Sequence, residues 1–414
     1  MIQYNLCSTS KNNTLCYISL ILIFILATSS AYAGPREQAK RIHDRIAGVP
    51  PSETDLDAME AILANADASD DLDAADIALD NSSFYNVTLK NFVTPWTNEE
   101  QTVFASLNDY TATVIGMIRD DVPFNEVLSG DILYVGDPGL GLPAYSMSNN
   151  DHYVALEGQN IDLKTGLVQR MQSSVTSLPA EATAGVITTR AAAKAFFIDG
   201  TNRAMFRFTL MNHLCTDLEQ IKDTSRPTDR IRQDVSRSPG GDSRIFLNAC
   251  VGCHSGMDPL TQAYAYYDYE YDAETDPDAE NGQLSYNTAS DTDPFTNSRV
   301  KRKYRINANN FEYGYITQND NWTNYWRLGP NANLGWSTTH TGTGSGAKSM
   351  GEELANSHAF AQCQVKKVFQ TMCLREPTSN NDNNEIERIT DVFITDNYSM
   401  KRVFAETALY CKGD

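Results

Sequence analysis

Apolar positions along this chain recur mostly at helical spacing. Residues 36–66 read as two helices broken at Gly48-Val49-Pro50-Pro51, with Ser52 capping the second and Asp55 three residues on. Residues 67–80 are acidic and alanine-rich, which predicts a solvated helix or linker. From Pro95 to Asp120 the residues Phe104, Leu107, Val114, Ile115 and Ile118 follow a helical period, and a short helix starts at Pro123 and closes at Gly130. Residues 131–160 are rich in Gly, Pro and Asn and predict loop with at most one hairpin. Helical signals return over 188–198 and 202–214, whereas Arg226–Gly241 is polar and ends in Ser238-Pro239-Gly240-Gly241, a loop. Residues 261–345 are crowded with Tyr, Trp, Asn, Asp and Gly and show no sustained period. Helical periodicity resumes over 350–374, 384–395 and 399–411.

These segments predict a mainly α protein. Its expected divisions are a leader at 1–33, an N-terminal helical segment at 34–90, a helical domain at 91–200 and a motif-bearing region at 201–260. An irregular aromatic-rich insertion at 261–345 and a C-terminal helical bundle at 346–414 complete it.

A composition of 41% hydrophobic and 21% charged residues is that of a chain with true cores. Acids outnumber bases 53 to 33, for a formal charge of −20. That field repels nucleic-acid phosphates and anionic lipid, and suits cationic partners or a metal ion such as calcium. At the N-terminus, Lys11 precedes the apolar run Leu15–Ala27, and Ala31-Tyr32-Ala33 offers a small-x-small cleavage site. This is the layout of a secretory signal, too short to span a bilayer, so a periplasmic or secreted location with no membrane span is expected. Two of the eight cysteines, Cys7 and Cys16, lie in the leader. The other six, exposed to an oxidising compartment, read as disulfides or cofactor ligands.

Cys250-Val251-Gly252-Cys253-His254 has the spacing of covalent c-type haem attachment. Two thiols one helical turn apart reach two vinyl-derived carbons on one porphyrin edge, and the adjacent histidine becomes the proximal iron ligand. Two other uses of the spacing compete. A redox disulfide lacks the surrounding βαβ pattern, and a zinc site lacks a second ligand pair. Met257 is too close to His254 to reach the opposite haem face and is expected to pack on the haem edge. For the sixth ligand the order of candidates is Met350, His340 and His152, with a core role competing for Met350. His213 and His358 read as core and helix-start residues, and His43, on a charged N-terminal helix, is set aside.

Cys363 and Cys373 lie ten residues apart on one predicted helix, about 15 Å, too far to pair. If the last three helices run up, down, up, Cys373 meets Cys411 and Cys215 is left for Cys363. The acids Asp268, Glu270, Asp272, Glu274, Asp276, Asp278 and Glu280 are read as alternating with Tyr266, Tyr267, Tyr269 and Tyr271. Extended chain would put acids on one face, as a solvated surface or a calcium site. Rings from Tyr304 to Trp336 predict an aromatic core with some contact to haem. Arg203, Arg207 and Arg237 are candidates for the haem propionates, with ordinary ion pairs as the alternative.

The run Cys250–Leu260, ending His254-Ser255-Gly256-Met257-Asp258-Pro259-Leu260, resembles the attachment segment of the planctomycete-type cytochrome domains, a family of unknown function with the form C..CH..MDPLG. Further similar stretches follow in the same order: Arg119–Phe124, Ala184–Thr189, Leu214-Cys215, Glu353-Leu354-Ala355 and Phe360–Cys363. After Leu260 the family's Gly-Phe is replaced by Thr261-Gln262 and a Tyr-rich acidic run. The resemblance implies a helical c-type cytochrome but no known reaction. With one haem c and no other catalytic set, the expected function is electron transfer to a partner with a basic docking face. A haem enzyme or gas sensor with an open iron position, or a haem-bearing component of an exported assembly, is the alternative.

Overall fold

The structure is a computed structural model and describes residues 33–65, 71–198 and 200–413. The expected leader, apart from Ala33, lies outside these residues, as do Cys7 and Cys16. The fold is mainly α, 53% helical, with only small strand pairs.

Three helices open it: α1 (Pro35–Ala47), α2 (Glu53–Leu63) and α3 (Asp71–Leu79). Proline in its first turn starts α1, and Gly48, at φ 73°, ends it in the left-handed conformation that glycine adopts freely. Ser52 caps α2 by accepting from the Asp55 amide. Of the solvated helix or linker expected at 67–80, the described part is a helix, but a packed one rather than a solvated one. Ala74, Ala75, Ala78 and Leu79 of α3 are buried, and the small alanines let the helix Met400–Tyr410 come close.

Helix α4 (Asp109–Arg119) is buried almost all round. It is shorter than the apolar period predicts, because Asn98 closes a turn in front of it. Asn98 Oδ1 accepts from the Thr102 amide while its Nδ2 donates to the carbonyls of Thr94 and Thr102. Phe104 is left 92% exposed. The expected loop at 131–160 holds β1 (Leu133–Gly136) and a two-turn helix, α5 (Asp151–Gly158). Strand β1 pairs antiparallel with β2 (Leu167–Arg170), Leu133 opposite Arg170. Helix α6 (Arg190–Phe196) and helix α7 (Arg203–Leu214) follow.

The motif region is a continuous helical run. Asp242 caps it by accepting from the Arg244 amide, a wide π turn occupies Phe246–Cys250, and α8 (Val251–Thr261) continues it. In the expected insertion, β3 (Tyr267–Glu270) and β4 (Gln283–Tyr286) form one ladder. A second joins β5 (Asn321–Thr323) to β6 (Thr343–Ser345) across the chain. Four helices close the fold: α9 (Gly346–Ala355), α10 (His358–Cys373), α11 (Asn380–Thr395) and α12 (Met400–Tyr410). The single helix predicted over 350–374 is therefore two, because Ser357 accepts from the Phe360 amide and starts a new one.

The main core runs from Ala39 in α1 to Ala408 in α12, so the first and last helices build one body. A smaller cluster of Ile231, Val235, Phe246 and Val251 lies beside Cys250. Two disulfides clamp the helices. Cys215, just past α7, joins Cys363 in α10, and Cys373 at the end of α10 joins Cys411 after α12, each with Cα atoms 5.3 Å apart. Bonds of this kind fit an oxidising compartment. Among the described residues no helix is long and apolar enough to cross a membrane.

Candidate functional site

Cys250 and Cys253 are the unpaired cysteines among the described residues, both partly exposed. One turn of helix separates them. The wide turn Phe246–Cys250 brings the chain to Cys250 out of α-helical phase, a local irregularity that often marks functional positions. Behind them the helix is held against the protein by its small residues. The backbone of Lys222–Thr224 crosses Gly252, with the Asp223 amide donating to the Gly252 carbonyl at 2.9 Å, and Ser255 donates to the Asp223 carbonyl. At Gly256 the approach is closer still: a Cβ there would run into the indole of Trp326, which is fully buried. The face carrying Cys250, Cys253 and His254 is thereby turned away from the core.

His254 is about one-fifth exposed at 21%, and its Nδ1 lies 3.1 Å from Asp258 Oδ1, at i+4 on α8. Its Nε2 makes no hydrogen bond. Asp258 is completely buried and fully used: Oδ1 also accepts from Arg203 Nε at 2.8 Å, and Oδ2 accepts from Arg203 at 3.0 Å and from the Arg232 amide at 3.2 Å. Burial opposes the charge of Asp258, but Arg203, His254 and Arg232 outweigh it and hold the carboxyl well below its usual range. Arg203 in turn grips Asp234 through both terminal nitrogens, at 2.5 and 2.9 Å. The fully buried Arg232 lays its guanidinium 4.8 Å from the Tyr304 ring centre. Asp234 and Arg232 were not singled out from sequence, and Asp258 entered only as part of the run that resembles the cytochrome segment, with no role given to it. The His-to-Asp spacing of four on a helix is the signal that points to Asp258.

The remaining candidates scatter. Met257 is buried in the main core one turn from His254. Met350 is fully buried in α9, whose principal neighbours are Phe124–Leu128 and Gln262–Tyr264. His152 is spent at both nitrogens, on the Gly136 amide and the Pro143 carbonyl. His340 lies half-buried in a turn. His213 is buried with its Nε2 2.8 Å from the Tyr110 hydroxyl, and His43 is buried as well. Of the propionate candidates, Arg203 and Arg207 are committed to carboxylates, Arg207 to Asp217. Arg237 bonds only carbonyls, those of Val235 and Ile231, and stacks on Phe246 and Phe311 at 4.7 and 4.3 Å.

The acidic run alternates over β3 alone, where Tyr267 and Tyr269 are buried and Glu270 is exposed. Asp268 pairs with Lys303, Glu270 with Lys301, and Asp276 caps its own turn. Among the described residues no group of three or more His, Cys, Asp or Glu is arranged to hold a metal ion.

The donors on α8 are two thiols outside any disulfide, of which Cys253 donates to the Leu218 carbonyl at 3.6 Å, and one imidazole nitrogen with no partner, and that set fits covalent haem. It fits a redox pair less well. Reactive CxxC thiols sit at helix N-termini or near positive charge, which lowers their pKa. Cys253 lies inside a helical run, and burial with nearby Glu219 pushes its thiol up. Comparison with protein-family models, with curated proteins and with solved structures finds no match for this chain.

Proposed function

We propose that the protein is an exported monohaem c-type cytochrome whose function is electron transfer. The observation that carries the reading is the donor set of α8: two unpaired thiols one turn apart, beside an imidazole whose Nδ1 is held and whose Nε2 is left for iron. Each thiol would add across one haem vinyl group. The sulfur–carbon bond forms, the thiol proton ends on the neighbouring carbon, and no electron is gained or lost. Once bound, haem supplies a one-electron ferric/ferrous couple.

The chain's residues supply the rest. Cys250 and Cys253 would hold the haem covalently, and His254 would be its proximal ligand. Arg237, free of any carboxylate, is the cation suited to a propionate. A formal charge of −20 favours a redox partner with a basic docking face at low ionic strength.

A second reading, an open sixth position for a small ligand, is favoured by the placement of Met350 and His152. One is packed in the core, and the other has both ring nitrogens engaged. The visible spectrum of the reduced holoprotein with and without carbon monoxide separates the two. An electron carrier with two protein ligands gives an unshifted spectrum; a clear shift rejects that ligation and moves the function to ligand binding.

A further inference from the structure

We propose that Asp258 is a positioning residue for the axial histidine: it holds His254 by Nδ1–H, leaves Nε2 for iron, and lends the ring anionic character that favours ferric over ferrous iron. The inference rests on the haem reading above and deepens it.

The geometry distinguishes Asp258 from an incidental neighbour. It lies one turn beyond His254 on the same helix, so the rigid α8 backbone sets their spacing. Its side chain is 0% exposed, and each oxygen receives two donors: His254 and Arg203 on Oδ1, Arg203 and the Arg232 amide on Oδ2. A buried carboxylate with that many donors has no freedom to swing away from the imidazole. Arg203 is itself fixed by Asp234, so the clamp continues to the loop Arg226–Gly241. A ligating histidine that donates its second nitrogen to a carboxylate is fixed in tautomer and ring orientation and becomes a more basic ligand. A more basic, partly anionic ligand stabilises the higher iron charge. Arg203 shares the Oδ1 atom with His254 and draws on the same electron density, so the arginine limits how much charge reaches the ring.

Two variants therefore have opposite signs. Asp258→Asn keeps the shape and removes the charge, and the midpoint potential should rise by about the equivalent of a tenfold loss of ferric preference, 59 mV for one electron. Arg203→Lys keeps a positive charge but loses the fork, and the potential should fall. If Asp258→Asn does not fold, Arg203→Lys alone decides. A folded Asp258→Asn protein with unchanged or lowered potential overturns the proposal, as does an unchanged or raised potential for Arg203→Lys. In the haem-free protein, nitrogen-15 spectra should show neutral His254 protonated on Nδ1 in the wild type, and an Nε2–H form there would contradict it. Wild-type protein that carries no haem would instead defeat the cytochrome reading, a separate outcome from these.

Discussion

The imidazole of His254 and the carboxylate of Asp258 meet at 3.1 Å on one turn of one helix, and the carboxylate is wholly buried. The motif is thus tied to the protein behind it through Arg203 and Asp234. Its thiol-bearing face stays open while its back is packed against Trp326.

Met350 fills the main core, so Met350→Ala should cost about 2–5 kcal/mol of stability through lost burial and a residual cavity. With Met350 in that position, the visible spectrum of the oxidised holoprotein should be unchanged. Chemical denaturation and a spectrum of the same sample check both. A changed spectrum would place the thioether on the iron.

Glu353 is 0% exposed and receives Asn324 at 2.7 Å and Arg327 at 2.8 and 2.7 Å. This cluster joins the irregular region to α9. Arg327→Met leaves a buried carboxylate without its cation and should destabilise by roughly 3–5 kcal/mol. Adding Glu353→Gln should recover much of the loss, which a double-mutant cycle measures.

Asp382 accepts from Arg375 at 2.7 and 2.8 Å, from the amides of Thr378 and Ser379, and from the Tyr410 hydroxyl. The Arg375 bonds above all hold its carboxyl well below the usual range, against the opposing effect of burial. The unfolded chain takes up this proton near its ordinary value of ~3.9. The stabilisation is therefore complete above that value and is lost as pH falls towards the folded value. Asp382→Asn should lower stability at neutral pH by about 1–3 kcal/mol and flatten the acid limb below pH ~4. Denaturation midpoints from pH 2 to 7 check this; an unchanged acid limb would remove Asp382 from it.

The parts of the fold legible in sequence were those governed by local rules. Ser52 and Gly48 mark helix ends because capping needs only neighbouring residues. The Cys373–Cys411 and Cys215–Cys363 bonds follow the helix lengths and directions read from periodicity. The errors share a cause in tertiary context. Phe104 keeps the helical period but sits in a turn closed by Asn98, and α3 looks solvated because alanine carries little hydrophobic signal until a partner covers it. Helix α5 was missed because only His152, Tyr153 and Leu156 of its two turns are buried. At the site, the motif itself was legible and its support was not. Arg203 and Arg232 reach Asp258 from 55 and 26 residues away, and Asp234 reaches Arg203 from 31, separations that no period encodes.

The most direct test of the account is the mass of the denatured protein after maturation with haem in a bacterial periplasm. One haem should be retained covalently, and it should be lost in the Cys250→Ala, Cys253→Ala double variant. Wild-type protein that leaves its haem behind on denaturation, or shows Cys250 and Cys253 bonded to each other, would contradict it.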